Sequence, residues 1–450
     1  MNGFRVHAAP DRIQKTRKVK MNLNLMHPRD LITLIMKRLY GYGMTTTSGG
    51  NLSIMDSDGN MWISPGGIDK GTLRPEDIVC VKKDGSIEGI HKPSSEYPFH
   101  RHIYQIRSDV KAVLHAHPAA LVAFSIAKKT PNPALLTKAT GICGKIGFAE
   151  YEIPGSEALG NKISAEFEKG MNCILLENHG VCCSGKNLLE AFERFETLDY
   201  LARIELKAMS IGKLRPLTPE TQNLARSIEH IKLAEFIPAE HSPHECELRS
   251  DMMKLINRSY NRMLSFSTDG TFSVRVSPNQ FLITPKGADR MNVREDELVL
   301  IQDNYCEMNK TPSRAAGLFK MIYDAHPWVN AIIVSKPVNV MGFAVTDQAI
   351  DSRTIPESYI LLRDIVNVDC AEHYRDPAAT VAKIAPNAPV VMLRNDCLLT
   401  VGSSLLQAFD RLEVAEFCAN SLLSSRRLGG VKPITEAQKK DLIKAFNLPE

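Results

Sequence analysis

One property limits the folds open to this chain more than any other: its second half repeats its first. Ile63-Ser64-Pro65-Gly66-Gly67 returns as Ile283-Thr284-Pro285-Lys286-Gly287, an offset of 220 positions, and Arg74-Pro75-Glu76-Asp77 returns as Arg294-Glu295-Asp296-Glu297 at the same offset. Lys92-Pro93-Ser94 matches Thr311-Pro312-Ser313 at an offset of 219. Leu188-Leu189-Glu190-Ala191-Phe192-Glu193-Arg194 matches Leu405-Leu406-Gln407-Ala408-Phe409-Asp410-Arg411 at 217, and Pro216-Leu217-Thr218 returns as Pro433-Ile434-Thr435. A register this steady over separated blocks means two copies of one structural unit, each a little over 200 residues long.

Each copy reads as α/β. Residues 28–42 set Leu31, Leu34, Ile35 and Leu39 at helical spacing, and Gly41 and Gly43 end the helix. A small-residue turn, Thr45 to Asn51, leads into a strand that ends at the Asp58-Gly59 hairpin signal, and Met61-Trp62-Ile63 returns. Ser94 or Ser95 is expected to cap a helix running to Ile106. Ala112-Val113-Leu114 and Cys173-Ile174-Leu175-Leu176 read as buried strands, and 187–210 as a long amphipathic helix. Leu214 to Ser242, with Pro216, Pro219 and Pro238, reads as a helix plus a linker. The expected division is a basic, disordered extension over 1–27, a first domain over 28–235 and a second over 243–450.

Composition excludes some functions. No apolar run approaches the roughly 18 residues needed to cross a bilayer. The formal charge is +4, yet residues 1–20 hold Arg5, Arg12, Lys15, Arg17, Lys18 and Lys20 against Asp11 alone. The body is therefore close to neutral and has no general attraction for nucleic acid. The basic segment lacks the apolar core of a targeting peptide, and Met21 reads as an alternative start. The ten cysteines form no Cys-X-X-Cys pair, which suits reduced thiols in the cytoplasm.

The chemistry gathers in the first copy. On a strand, residues two apart point the same way, so His115 and His117 present two imidazoles together at a strand end. Under the internal alignment His115 becomes Val334, His117 becomes Lys336 and His179 becomes Asp396. Glu96 becomes Ala315, Asn51 becomes Thr271 and Ser95 becomes Arg314. Scaffold positions persist while these polar positions are lost together, which separates functional side chains from structural ones. Three histidines on a rigid sheet suit Zn²⁺ with coordination positions left open, and Mn²⁺, Co²⁺ or Fe²⁺ also fit. A carboxylate at a helix start is favoured by the helix dipole alone, but the loss of Glu96 alongside the histidines favours a catalytic use. Ser48, Gly49, Gly50, Asn51, Gly66, Gly67, Ser94 and Ser95 form small-residue loops able to take one phosphate-sized anion. No Walker lysine motif accompanies them, so this is not a nucleoside triphosphate loop.

Taken in order, Ser48-Gly49-Gly50-Asn51, Ser64-Pro65-Gly66-Gly67, Ser94-Ser95-Glu96, His115-Ala116-His117 and Asn178-His179-Gly180 resemble the class II aldolase/adducin family. The resemblance covers residues 28–210 and extends to the second copy as a degenerate partner. It implies a three-layer α/β/α fold around a mostly antiparallel sheet, duplicated in tandem. It implies His115, His117 and His179 as ligands of a divalent metal, Glu96 as the acid/base, and Asn51, Gly67, Ser94 and Ser95 as the holders of a substrate phosphate, with Ser48 and Gly66 as additional candidates. Gly66 departs from the threonine typical of the aldolases; Ser64 or backbone N–H groups would take over its contact. The implied activity is a carbon–carbon lyase acting on a sugar phosphate, with the metal as Lewis acid and Glu96 exchanging a proton with carbon. The family also holds epimerases, dehydratases, decarboxylases and non-enzymatic adducins. The epimerases typically have aspartate where Glu96 stands, so glutamate favours the aldolases over them. The family's rings of four imply a homo-oligomer here, either two chains completing a pseudo-fourfold ring or a larger assembly, with a second copy that carries no catalytic metal.

Overall fold

The computed structural model describes residues 23–228, 231–238 and 240–449. The first half builds eight strands: β1 (Asn51–Met55), β2 (Met61–Ile63), β3 (Val79–Val81), β4 (Ile87–Glu88), β5 (Ala112–Ala116), β6 (Ile146–Ala149), β7 (Cys173–Leu176) and β8 (Gly180–Gly185). They form one sheet in the order β4-β3-β2-β1-β5-β8-β7-β6, antiparallel except for the β6–β7 pair. The second half builds β9 (Ala234–Phe236), β10 (Thr271–Ser277), β11 (Gln280–Ile283), β12 (Val299–Gln302), β13 (Tyr305–Glu307), β14 (Ala331–Ser335), β15 (Ile365–Val368), β16 (Val390–Leu393) and β17 (Cys397–Gly402). Their order, β15-β16-β17-β14-β10-β11-β12-β13-β9, matches the first sheet with one strand added at the edge.

The register proves the internal alignment residue by residue. Asn51 faces His115 across β1–β5, and Thr271 faces Val334 across β10–β14. His115 then faces Cys182 on β8, and Val334 faces Leu399 on β17. Even the turn before the last strand is kept, with Asn178 at φ +52° and Asn395 at φ +59°.

Each sheet is covered by helices on both faces, the three-layer arrangement expected. Because strand residues alternate in direction, Val113 points to the helices Tyr97–Ile106 and Glu157–Glu168, where Phe99, Ile103, Leu159, Ile163 and Phe167 close one core. Ala112, Leu114 and Ala116 point the other way, into a core that runs on without a break into the second half. Leu188–Met209 lies in that shared core. Its residues 195–202 are all buried, so the amphipathic pattern expected for this helix is not kept along its middle. Buried polar contacts join the halves: Arg38 pairs with Asp289 at 2.5 Å, and Tyr260 donates to Glu196. Asn395 donates to the Leu135 and Arg215 carbonyls at 3.0 and 2.8 Å.

Several local expectations are corrected. Neither Ser94 nor Ser95 caps the helix before Ile106. The helix spans Tyr97–Ile106, Glu96 occupies the cap position, and the Ser94 hydroxyl accepts from the Glu96 N–H instead. The Asp58-Gly59 pair does lie in the hairpin turn, with Gly59 at φ +84°, and Asp56 adds to it by accepting from the N–H groups of Asp58 and Asn60. The linker contains a helix, Pro219–Ser227, but also β9, which pairs in parallel with β13 and so belongs to the second sheet. Of the expected extension, 1–22 and with it Met21 lie outside the described residues. Leu23–Leu25 forms a 3₁₀ turn, Leu23 and Met26 pack on the core, and His27 caps the helix Pro28–Gly41. No helix among the described residues is long and apolar enough to cross a membrane.

Candidate metal centre

The three histidines reach one place by three routes. His115 is the fourth residue of β5, on the Val113 face, and is fully buried. His117 follows where β5 ends, turned by Pro118. His179 sits in the tight turn between β7 and β8, placed by the left-handed backbone of Asn178. One nitrogen from each lies within 4.8 Å of the others. Two glycines make room for His117: a Cβ on Gly180 would stand 2.5 Å from its ring, and one on Gly49 2.8 Å from its Nδ1.

Tautomers follow from the hydrogen bonds. His115 Nδ1–H donates to the Val181 carbonyl at 3.0 Å, which turns the Nε2 lone pair to the centre. There it meets His117 Nε2 at 2.9 Å and Glu96 Oε2 at 3.3 Å. His179 Nε2 is 3.6 Å from Glu96 Oε1. Burial, with a contribution from neighbouring imidazoles, holds His115 and His117 down to about 3. Burial likewise lowers His179. The rings are therefore neutral and their lone pairs available at physiological pH. Glu96 Oε1 is buried with no hydrogen-bond partner among the described residues, and so is His179 Nδ1. Imidazole nitrogens converging beside an orphaned carboxylate oxygen are what a divalent cation satisfies. The cluster is thus of a kind that can hold a metal ion.

Glu96 enters from the start of the helix Tyr97–Ile106, and Asn51 fixes it by donating from Nδ2 to Glu96 Oε2 at 2.7 Å. The Asn51 carbonyl oxygen is turned to the His100 ring, whose Nδ1 meets Ser53 Oγ at 2.7 Å. Asn51, expected at the phosphate, therefore stands between Glu96 and His100 and keeps one amide hydrogen free of them. His100 escaped the sequence reading. Its signal was there, because the equivalent position in the second half is Phe319, whereas the Ser53–Tyr104 contact is repeated as Ser273–Tyr323.

The small-residue loops do meet. A bridge between Pro65 and Pro93 lays Gly66 and Gly67 beside Ser94 and Ser95. Gly67 has φ +68° and open space where a Cβ would be, while the Gly66 N–H is already donated to the Lys92 carbonyl. Ser95 is exposed and Ser94 buried. Ser48 is exposed on the adjoining loop, which the Lys70 N–H ties down through the Thr47 carbonyl. Lys70 is the second residue missed. Its side chain is 1% exposed, its ammonium donates to the Pro65 carbonyl, and burial lowers it to about 8. The second half keeps a buried base at this register, Arg290.

The pattern that defines the class II aldolase and adducin N-terminal domain matches residues 30–206 and again 250–423. Three relatives align with part of the chain. A 5-deoxy-D-ribulose 1-phosphate aldolase of Bacillus thuringiensis is 34% identical over 212 residues, which is 46% of this chain and 97% of that protein. An L-fuculose phosphate aldolase of Methanocaldococcus jannaschii is 32% identical over 185 residues, 40% of this chain and 96% of that protein. A 3-oxo-tetronate 4-phosphate decarboxylase of Haemophilus influenzae is 30% identical over 180 residues, 39% of this chain and 85% of that protein. Two matches of one domain pattern, falling on two sheets of one topology, place this chain in the class II aldolase and adducin N-terminal domain family, with the domain present twice.

Proposed function

We propose that the first half is a metal-dependent aldolase that cleaves or forms a carbon–carbon bond in a sugar phosphate. The observation that carries this reading is the convergence of His115, His117 and His179 on the orphaned Oε1 of Glu96. His115, His117 and His179 would hold a divalent ion, with Zn²⁺ the first choice for three imidazole nitrogens. When bound, that ion supplies a Lewis acid for the substrate's carbonyl and adjacent hydroxyl oxygens. Glu96 gives a proton to, or takes one from, the carbon next to the carbonyl, and Asn51 holds the carboxylate in place for it. Gly67, Ser94 and Ser95, with the remaining amide hydrogen of Asn51, hold the phosphate, and Ser48 and Gly66 border it. The buried ammonium of Lys70 lies behind these loops and adds positive potential.

The same reading makes the second half, with β9 of the linker in its sheet, a non-catalytic partner. Thr137 and Lys138 of the first half reach into the second, donating to Asp396 at 2.6 Å and Asp269 at 2.9 Å. Their structural equivalents in the second half are Pro356 and Glu357, which follow the turn Ser352–Thr354 as Thr137 and Lys138 follow Pro133–Leu135. The neighbouring helix Glu436–Ala445 has no buried residue. A second chain offers the matching site, so two chains would close a ring in which each half serves the next.

A decarboxylase is the second reading, favoured by the similarity to the Haemophilus 3-oxo-tetronate 4-phosphate decarboxylase. One experiment separates them. The protein is loaded with Zn²⁺ or Mn²⁺ and offered L-fuculose 1-phosphate, 5-deoxyribulose 1-phosphate and 3-oxo-tetronate 4-phosphate. Release of dihydroxyacetone phosphate from either ketose phosphate supports the aldolase; release of carbon dioxide, together with dihydroxyacetone phosphate, from 3-oxo-tetronate 4-phosphate supports the decarboxylase. Neither product, from fully metallated protein, overturns both and leaves a binding role.

A further inference from the structure

A cavity of about 920 Å³ occupies the second half at the place where the first half carries its histidines. Its volume is within the range of small-molecule sites. The two sites have parted chemically. Where His115 stands the second half has Val334, and where His117 stands it has Lys336, whose ammonium bonds Asp269 at 2.7 Å. Lys138 of the first half completes that cluster at 2.9 Å from the same carboxylate. A cation held by protein thus fills the region where the first half gathers lone pairs. Asp396, at the His179 position, is already engaged by Thr137.

The anion loops of the second half were kept and strengthened. Pro285 bridges Pro312 as Pro65 bridges Pro93, and Gly287 has φ +65° with open space around it, like Gly67. The Thr271 and Ser313 hydroxyls lie 2.8 Å apart beside it. Two positions that are neutral in the first half have become basic: Gly66 is replaced by Lys286, and Ser95 by Arg314. Both line the cavity, and both are exposed to its solvent. Around the whole cavity six Lys and Arg side chains face three Asp and Glu side chains. Loss of the metal ligands alone predicts drift towards any residue type; the gain of two bases at the phosphate loop is directional.

We propose that the second half binds a small sugar or polyol phosphomonoester, without metal and without turning it over. The phosphate sits at the Gly287, Ser313 and Arg314 loops with Lys286 beside it, where charged donors serve a dianion best. The hydroxyl-bearing chain extends to the floor, where the Lys336–Asp269 pair offers both a donor and an acceptor. The phosphate end of this site rests on the proposed reading of the Gly67, Ser94 and Ser95 loops as phosphate holders, but not on the reaction assigned to the first half.

The test is calorimetric titration of the full-length chain, treated with EDTA, using ribitol 5-phosphate and, separately, inorganic phosphate. Ribitol 5-phosphate has no carbonyl, so an aldolase cannot cleave it. Ser94→Ala with Ser95→Ala weakens the first-half loops and isolates the second. Lys286→Gly with Arg314→Ser places at each position the residue that the first half folds with at the same register. The expected result is one ribitol 5-phosphate site per chain in the Ser94/Ser95 variant, lost or weakened at least about tenfold when Lys286 and Arg314 are also replaced. No binding in the Ser94/Ser95 variant, or equal binding with and without Lys286 and Arg314, overturns the proposal. Equal affinity for inorganic phosphate and ribitol 5-phosphate overturns the assignment of the floor to a hydroxyl-bearing chain.

Discussion

Replacing Asp269 with asparagine tests whether the second half has exchanged a metal centre for an ion cluster. The Asp269 carboxylate takes the Lys336 ammonium at 2.7 Å and the Lys138 ammonium at 2.9 Å. Its side chain is 12% exposed, that of Lys336 5% and that of Lys138 40%. Removing one member of a fully buried pair costs about 3–5 kcal/mol, because the partner is left charged and dry. Lys138 is exposed enough to turn to water and the Asp396 carboxylate still compensates part of Lys336, so about 2–3 kcal/mol is the expected loss. With an unfolding entropy of about 2.1 cal/mol/K per residue, that lowers Tm by about 3 °C if the 450 residues melt as one unit, and by about 6 °C if the second half melts alone. The two ammonium groups hold the Asp269 carboxyl well below the usual carboxylate range against the opposing effect of burial. A depressed folded pKa gives stability that is complete above the unfolded value near 4 and is lost as pH falls towards the folded one. The gap between parent and variant should therefore be flat from about pH 5 to 8 and close below about pH 4. Thermal melts by circular dichroism across that range measure it. A variant within 1 °C of the parent at pH 7 would refute the reasoning, since Asp396 would then compensate Lys336 by itself.

Other expectations follow from the same geometry. Glu96→Gln keeps the metal and the fold but lowers turnover by about 10²–10⁴-fold, read by steady-state kinetics on protein of verified metal content; activity within about threefold of the parent would assign the proton to another group. His115→Ala loses metal, by elemental analysis, with an unchanged circular dichroism spectrum, because β14 folds in the same register with Val334. Lys70→Met should raise stability in phosphate-free buffer at pH 7 by about 1–3 kcal/mol in urea titrations, as it removes a buried charge whose pKa is lowered to about 8. Because the parent gains stability as pH rises from about 8 towards 10.5, that advantage should shrink over the same range, and an advantage independent of pH would exclude Lys70 as its source. Light scattering combined with metal analysis should find dimers with one metal per chain; two metals per chain would refute the inactive second half, and an active monomer would refute the ring.

What was legible in the sequence is what repetition and periodicity encode. The steady offset between halves announced the duplication, and the strand pattern around Val113 and Leu114 announced the sheet. The loss of His115, His117, His179 and Glu96 in the second half marked the site without any knowledge of distances, because a fold cannot need in one copy what it discards in the other. Tertiary structure alone decided how those groups engage. The Val181 carbonyl that sets the His115 tautomer belongs to another strand, and Asn51 serves Glu96 and His100 only because β1 pairs beside β5. The burial of Leu188–Met209 on nearly every side could not be read from its own residues, since part of its covering comes from the other half. Thr137 and Lys138 belong to the first half yet line a cavity in the second. Short-range pattern records what a segment prefers by itself; hydrogen-bond partners and shared cavities depend on groups that the chain brings together only after it has closed on itself.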